Sequence, residues 1–257
     1  MNCIVLKPSK KTKKGIGNIR IQITRKIFDV ILFKIVVKLI TTNIKMLFLK
    51  NMVLDTLIIG GGVSGMQCAL VLGSAKEQEF AKNKKIAIIM HQKASHLQIG
   101  LYNNVLGLTP KTLGKDVLIE GKKQLSELYP EVAQIAKEKV LEVLKITDDT
   151  TNEFYQVKTN KNTYTSKIVV IALNYAKPFT IKGLEKFEEP HRRANPAGDR
   201  IQLKNNDHLI EEGLYCCGTI AGWRSQFAIA AGSGASVGTD ILTIWNNNSP
   251  TNIHDKA

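Results

Sequence analysis

The sequence has few cysteines, and their spacing excludes two classes of cysteine chemistry. Only Cys3, Cys68, Cys216 and Cys217 are present. No two of them form a Cys-x-x-Cys pair, and no Cys/His cluster has the spacing of zinc ligands. So low a number favours a reducing compartment, and we predict a cytoplasmic protein. Cys216 and Cys217 are adjacent on a predicted strand, where their side chains would point to opposite faces as small core residues.

Acidic residues are nearly absent from the first 51 residues, which hold 12 Lys and Arg against the single acid Asp29. The rest of the chain has 24 basic and 21 acidic residues and is close to neutral. The net charge of +14 therefore belongs mainly to this N-terminal extension. No basic stripe with interleaved aromatics follows residue 52, which argues against nucleic acid as a partner.

Long uncharged runs are missing as well. Residues 27–49 are apolar but are interrupted by Asp29, Lys34, Lys38 and Lys45. They fall short of the ~20 residues that a membrane span needs, and no cleavage site typical of a signal peptide follows. Three interpretations of the extension stay open: contact with an anionic membrane surface, docking as an extra helix, or an unstructured or wrongly assigned start, with Met46 or Met52 as the true one.

A glycine-rich motif follows the first strong strand pattern, Asp55–Ile59. The segment Gly60–Gly65 reads Gly-Gly-Gly-Val-Ser-Gly and runs into a helical pattern, 66–72. This is G-x-G-x-x-G at a strand-to-helix turn, the context that a dinucleotide site requires.

Each part of this motif has a predicted task. Gly60 would permit the tight turn, Gly62 would let the backbone approach a pyrophosphate, and Gly65 would let the helix pack closely on the sheet. The helix N-terminus at Val63 and Ser64 would present N–H groups to the phosphates.

The next predicted strand, 85–90, ends without the acid that usually binds the adenosine ribose in such units. The position falls on His91 or, alternatively, on Met90. The imidazole of His91 would make one ribose hydrogen bond, or His91 is only a surface residue; both interpretations stay open.

Three further segments extend the pattern. Gly213–Ile220 predicts a short strand ending in glycine, and a helix is predicted from Gln226 through Ile244. Asn103–Gly107 forms an Asn-rich loop, and Lys167–Ala172 forms a buried strand. In this order, the motifs over residues 53–247 resemble the FAD half of thioredoxin-reductase-like flavoproteins of the pyridine nucleotide-disulfide oxidoreductase superfamily, in a short single-domain form.

The resemblance implies FAD as the cofactor. Asn104 would lie beside the flavin, Ala172 near the pyrophosphate, and Gly218 and Thr219 at the ribityl chain. The helix start at Gln226, Phe227 and Ala228 would face the isoalloxazine ring. Trp223 and Phe227 would either shield that ring or pack in an apolar layer.

The sequence also departs from the family pattern. Thr219 replaces an acid, Ala172-Leu173-Asn174 replaces Ala-Thr-Gly, and Asn103–Gly107 lacks the family's aromatic and proline. Residues 173–213 are too few for the NADPH domain of ~100 residues inserted there in thioredoxin reductase. The redox cysteine pair is missing.

The resemblance therefore implies an FAD-dependent oxidoreductase that passes hydride or electrons through the flavin, with no catalytic acid or base assigned. The alternatives are a non-catalytic flavin-binding or sensor protein, and an NAD-binding Rossmann protein without flavin. The electron donor or acceptor would be a small molecule or a redox protein, with NADPH or NADH as an external donor among the options. A homodimer is also an option.

We expect an α/β chain, a Rossmann-type FAD-binding three-layer domain with a central parallel sheet and a β-meander. The domain would occupy residues 52–247, between the extension, 1–51, and a tail, 248–257. Its middle would contain an amphipathic helix, 112–129, and strands 139–146, 154–159 and 163–172. We interpret the loop residues His191, Arg192 and Arg193 as solvated, with contact to a phosphate or an acidic partner as the alternative.

Overall fold

The computed structural model describes residues 31–33, 36–37, 49, 51–92, 95–251 and 253. The chain divides into two compact units, Met1–Leu49 and Lys50–Ala257. In the first unit, residues 31–33, 36, 37 and 49 are helical. The alternatives for the extension concern residues that lie mostly outside those described, and they stay predictions.

The second unit contains three α-helices and twelve strands within its described residues. The helices are α1 (Val63–Ser74), α2 (Gly114–Leu128) and α3 (Phe227–Trp245). The strands are β1 (Val53–Ile59), β2 (Ile86–Met90), β3 (Leu101–Tyr102), β4 (Thr112–Leu113), β5 (Ala133–Ala136), β6 (Val140–Thr147), β7 (Glu153–Thr159), β8 (Thr163–Ile171), β9 (Glu188–Pro190), β10 (Ile201–Leu203), β11 (Leu209–Glu211) and β12 (Leu214–Cys216).

A mostly parallel sheet forms the centre, in the order β11-β12-β8-β1-β2-β5. Every pair from β12 to β5 is parallel, and only β11 runs antiparallel to its neighbour. The strands β1 and β2 read as nearly continuous apolar runs and are buried along almost their whole length, as expected for a parallel sheet covered on both faces. The predicted central parallel sheet is confirmed.

A β-meander extends from the middle of this sheet. The strands β6, β7 and β8 pair antiparallel in sequence order. The strand β8 belongs to both parts, because Thr163–Ser166 pairs with β7 whereas Thr165–Ile171 pairs with β1. The bounds of the meander strands were predicted within one or two residues. Because β8 belongs to both parts, it connects the meander to the central parallel sheet.

One face of the sheet is covered by α1 and α3, which cross closely because small residues lie at the contact. A Cβ on Gly234 of α3 would overlap the carbonyl of Ser64. Around this crossing, Cys68, Leu72, Val237 and Ile241 are fully buried. By length and composition α3 would also suit a membrane span, the one such helix among the described residues. Its buried face packs instead in the core of this domain.

Local boundaries differ from the predicted ones for identifiable reasons. The predicted strand 213–220 ends at Cys216, since Gly218 turns the chain with φ of +77°. Cys216 and Cys217 are both fully buried, which confirms them as core residues.

Candidate functional site

A cleft of about 210 Å³ opens where β1, β2 and β8 end. In open α/β sheets, ligands bind outside these carboxyl ends. Nine of the thirteen predicted site residues line the cleft: Gly60, Gly62, Val63, Ser64, His91, Ala172, Thr219, Gln226 and Phe227. Gly60 and Phe227, which are far apart in sequence, are therefore brought to one place by the fold.

The glycine turn has the geometry that its spacing predicts. Gly60 has φ of +125°, a conformation that side chains disfavour, and its Cα lies against the Ala172 carbonyl. A Cβ on Gly65 would overlap the Gly60 carbonyl. Gly62 differs, because the nearest described atom to a Cβ there is Ser95 Oγ, 3.9 Å away. The space in front of Gly62 is thus open towards the cleft.

Two helix N-termini meet at this cleft. α1 begins after Gly62 and α3 begins after Gln226. Neither helix has a side-chain capping hydrogen bond at its N-terminus among the described residues. Neither first turn contains an acid. Their N–H groups and the partial positive charge of each helix end are therefore left for an anionic ligand.

A short turn connects β12 to α3 and forms another wall of the cleft. Residues Gly218–Ala221 form a 3-10 helix. Its first residue, Gly218, and the residue that follows it, Gly222, both have positive φ. Thr219 lines the cleft, and its hydroxyl lies 3.5 Å from the Leu173 carbonyl oxygen. The residue that replaces the family's acid is thus placed at the cleft with an uncharged hydroxyl.

His191, Arg192 and Arg193 were predicted to be solvated; Arg192 and Arg193 are exposed and His191 is partly buried, but all three side chains also contact the turn Gly218–Gly222. Nε2 of His191 lies 3.0 Å from the Thr219 carbonyl oxygen, and Arg193 Nη1 donates to the Gly222 carbonyl at 3.0 Å. Arg192 Nη2 donates to the Ala221 carbonyl. The hairpin of β9 and β10 brings these side chains onto the turn. Partial burial lowers the pKa of His191, so its imidazole is neutral near pH 7.

Four predicted site residues lie outside the cleft lining. Gly65 lies beneath the glycine turn, and buried Gly218 directly precedes Thr219. Ala228 is exposed on the first turn of α3. Asn104 is exposed in a surface loop, whereas the neighbouring Asn103 accepts a hydrogen bond from the Lys111 N–H through Oδ1. The structure does not bring Asn104 to the other site residues.

Several lining residues were missed by the sequence analysis. The buried Gln92 donates from Nε2 to the Gly61 carbonyl at 2.6 Å and so holds the glycine turn. Tyr102 packs edge-on against Phe227, with ring centroids 5.1 Å apart, and burial raises the pKa of its phenol. His96 and Ser225 also line the cleft. Proximity of Gln92 and His96 to His91 in sequence was the one available indication.

A second cavity, of about 260 Å³, lies next to the first. Both cavities are lined by Gly60, His91, Leu173 and Asn174. The second is also lined by Glu138, whose buried carboxylate accepts hydrogen bonds from Thr159, Asn162 and Tyr164. The two cavities are therefore neighbours that share these four lining residues at the ends of the strands.

No cluster of metal-ligating side chains occurs within the described part of the chain. Trp223, predicted either to shield a ring or to pack, stacks on His208 with centroids 5.7 Å apart and lies outside the lining. Phe227 does line the cleft. The first cavity is therefore lined mainly by the glycine turn, the two helix starts and polar side chains that include His91 and His96.

Comparison with solved structures identifies this architecture. A thioredoxin reductase from Gloeobacter violaceus matches with a TM-score of 0.57 at 14% identity, covering 79% of this chain and 98% of that one. The fold is that of the thioredoxin reductases. A ferredoxin-flavin thioredoxin reductase from Clostridium acetobutylicum matches with a TM-score of 0.54 at 14% identity, over 75% and 98% of the two chains.

A third relative of this fold is the atypical thioredoxin reductase from Desulfovibrio vulgaris Hildenborough, with a TM-score of 0.54 at 10% identity, covering 77% of this chain and 100% of that one. No protein-family model matches the sequence, and the search of curated proteins finds no match. The predicted fold class, a Rossmann-type domain with a mostly parallel sheet, is confirmed.

Proposed function

We propose that the chain binds FAD and acts as an oxidoreductase through it. The observation that carries this proposal is the convergence of two helix N-termini without side-chain caps on one cleft. A mononucleotide site needs one such helix; a flavin dinucleotide, with a pyrophosphate and an isoalloxazine ring that becomes anionic on reduction, uses both.

The residues present fit this cofactor. The open space in front of Gly62 would accept the pyrophosphate against the N-terminus of α1. Thr219 would hold a ribityl hydroxyl, and the start of α3 at Gln226 and Phe227 would face the flavin ring. His91 and the second cavity would receive the adenosine part. Bound FAD would supply hydride or electron transfer, and the protein would supply position and electrostatics.

Among the described residues that line the first cavity none is a carboxylate, which has a chemical consequence at Thr219. The hydroxyl of Thr219 makes a hydrogen bond without charge, so this chain would hold the ribityl chain less tightly than an acid would. We therefore propose FAD binding that is reversible in purification, with an electron donor that arrives from outside the domain, either NADPH, NADH or a redox protein in the cytoplasm.

The test is visible absorption of the purified full chain after addition of FAD and removal of excess, followed by NADPH and then NADH without oxygen. Flavin bands that bleach with either nucleotide are the expected result. Bands that persist with both nucleotides but bleach with a reduced redox protein would identify a protein donor. Bands that resist every donor would favour the non-catalytic alternative, and a colourless protein after reconstitution would overturn the proposal.

A further inference from the structure

A buried histidine lies directly behind the turn that lines the cleft. His208 is only 3% exposed. Its Nε2 lies 2.8 Å from Ser233 Oγ on α3 and 3.0 Å from Trp223 Nε1. The same Ser233 oxygen accepts the N–H of Gly218 at 2.8 Å. One imidazole therefore connects α3 with both ends of the turn, Gly218 and Trp223.

The backbone at His208 indicates that the position is kept for its side chain. Asn206 and Leu209 exchange backbone hydrogen bonds of 2.9 and 3.0 Å, and both residues between them have positive φ, +43° at Asp207 and +76° at His208. Such hairpin turns favour glycine at the second central position. A histidine there bears a conformational cost that its buried contacts must offset.

The contacts determine which nitrogen carries the proton. An indole N–H is only a donor, so Nε2 of His208 must be the acceptor from Trp223, and the neutral ring carries its proton on Nδ1. Nδ1 is buried with no hydrogen-bond partner among the described residues. The nearest carboxylate oxygen, Asp207 Oδ1, is 3.4 Å away.

Protonation would reverse this arrangement. With protons on both nitrogens, Nδ1 would turn to the Asp207 carboxylate, and Nε2 would face the Trp223 N–H as donor against donor. Trp223 would then lose its acceptor, and with it the stacking on His208. The backbone N–H of Trp223 closes the turn onto the Gly218 carbonyl at 3.4 Å, so the wall of the cleft at Thr219 would loosen with it.

We propose that His208 is a positioning residue of the flavin site, whose neutral ring holds the turn Gly218–Trp223 in its binding shape and whose protonation releases it. The proposal rests on the proposed function and adds proton-controlled regulation of FAD binding to it.

The charged groups around His208 affect the pH at which it becomes protonated. The ionisable groups that face His208 are Asp207 in its own turn, Asp240 on α3 and Arg192 after β9. Burial lowers the pKa of His208 below its ordinary value of 6.5, against the opposing effect of the two aspartates. A lowered pKa means that the native contacts are complete above pH 6.5 and are lost as the pH falls through the lowered pKa.

The first experiment follows Trp223 fluorescence against pH without FAD, in a Trp245→Phe background, so that it does not depend on the proposed function. A single transition below pH 6.5 is expected, because an imidazolium next to the indole quenches it. His208→Gln keeps a neutral acceptor and should show no transition, whereas Asp207→Asn should move it to lower pH. A flat wild-type curve, or a transition that survives in His208→Gln, would overturn the proposal.

The second experiment measures the FAD dissociation constant of the full chain between pH 5 and 8. We expect it to rise about tenfold on acidification, the size expected for one buried donor left unpaired. His208→Gln should bind FAD at neutral pH with no such rise, and His208→Ala should bind weakly throughout. An FAD dissociation constant that stays the same across the pH range of the Trp223 fluorescence transition would refute the regulatory role. Absence of FAD binding at every pH would instead refute the proposed function.

Discussion

A Cβ placed on Gly65 would overlap the carbonyl oxygen of Gly60. The first turn of α1 therefore packs on the end of β1 so closely that position 65 has no room for a side chain. We expect Gly65→Ala to lower the free energy of unfolding by about 1–3 kcal/mol, because the helix must shift off the sheet. Urea denaturation measures this. The matched control is Gly232→Ala in α3, where no described atom lies within 4 Å of a Cβ.

The control should behave in the opposite way. Replacing a helical glycine by alanine at an open site stabilises by up to ~1 kcal/mol. Equal stability of the wild type and Gly65→Ala would contradict the close packing described for this turn.

A substitution at Gly62 tests FAD binding without disturbing folding. Its φ of −81° suits alanine, and a Cβ there would meet no described atom closer than 3.9 Å. The methyl group would stand in the space proposed for the pyrophosphate. We expect Gly62→Ala to unfold within about 0.5 kcal/mol of the wild type, yet to bind FAD at least about tenfold more weakly. Isothermal titration calorimetry and urea denaturation on the same preparation check both parts, and unchanged FAD affinity would place the pyrophosphate elsewhere.

The glycine turn could be predicted from sequence because its geometry is local. Gly60, Gly62 and Gly65 lie within six residues, and each role follows from the turn between one strand and one helix. The same holds for the meander, whose alternating strands and polar turns are consecutive. Even there, the prediction could not include Gln92, because its hydrogen bond to Gly61 depends on how β2 ends beside β1.

The basic loop shows what local patterns cannot predict. Arg192 and Arg193 lie 29 residues before the carbonyls that they contact, and only the pairing of β9 with β10 brings them there. Polar residues in a Pro- and Gly-bounded loop have no periodicity that would indicate such contacts. His208 was missed for the same reason, since its partners Ser233 and Trp223 belong to elements that follow it in the chain.

Arg193 and Arg224 offer a test of this loop. The guanidinium of Arg193 donates to the Gly222 carbonyl and lies 4.7 Å from the centre of the Trp223 ring. Arg224, close by, is exposed and makes no side-chain hydrogen bond or ion pair with any described residue. Arg193→Ala should destabilise by about 1 kcal/mol through the lost hydrogen bond and cation–π contact.

The same variant should release FAD faster, because the Gly222 end of the turn loses one of the hydrogen bonds that hold it. Stopped-flow dilution of the FAD complex measures this rate. Arg224→Ala should match the wild type in both stability and release. Equal effects of the two substitutions would point to general surface charge rather than to a specific contact of Arg193.

The buried thiols should take no part in electron transfer. Cys68, Cys216 and Cys217 are free and buried, and burial raises the pKa of all three, to about 12 for Cys217. Thiol reagents attack the thiolate, which is scarce at such values. In a Cys3→Ser background, a chromogenic disulfide at pH 8 should label none of the three in the folded protein and all three after unfolding. A thiol that is labelled rapidly in the folded protein would contradict this prediction and would indicate that a cysteine can take part in the reaction.

The carboxylate of Glu138 is the polar centre of the meander and also borders the second cavity. It is 3% exposed and accepts 2.7 Å hydrogen bonds from Thr159 Oγ1 and Asn162 Nδ2, and 3.1 Å contacts from the Tyr164 hydroxyl. Burial, together with the nearby Glu138 charge, raises the pKa of Tyr164, so the phenol remains a donor over the whole range in which the protein would work.

Removing this acceptor would leave the buried Tyr164 hydroxyl without its carboxylate acceptor and would also remove the 2.7 Å hydrogen bonds from Thr159 and Asn162. We expect Glu138→Ala to lower the free energy of unfolding by about 3 kcal/mol, and Glu138→Gln, which keeps one acceptor oxygen, to lose less. Glu127→Ala, at an exposed position of α2, is the control and should be neutral. Because β8 runs from the meander into the sheet beside β1, the loss should be cooperative, with fluorescence and circular dichroism following a single transition. Two separate transitions would show that the meander folds independently of the site that it adjoins.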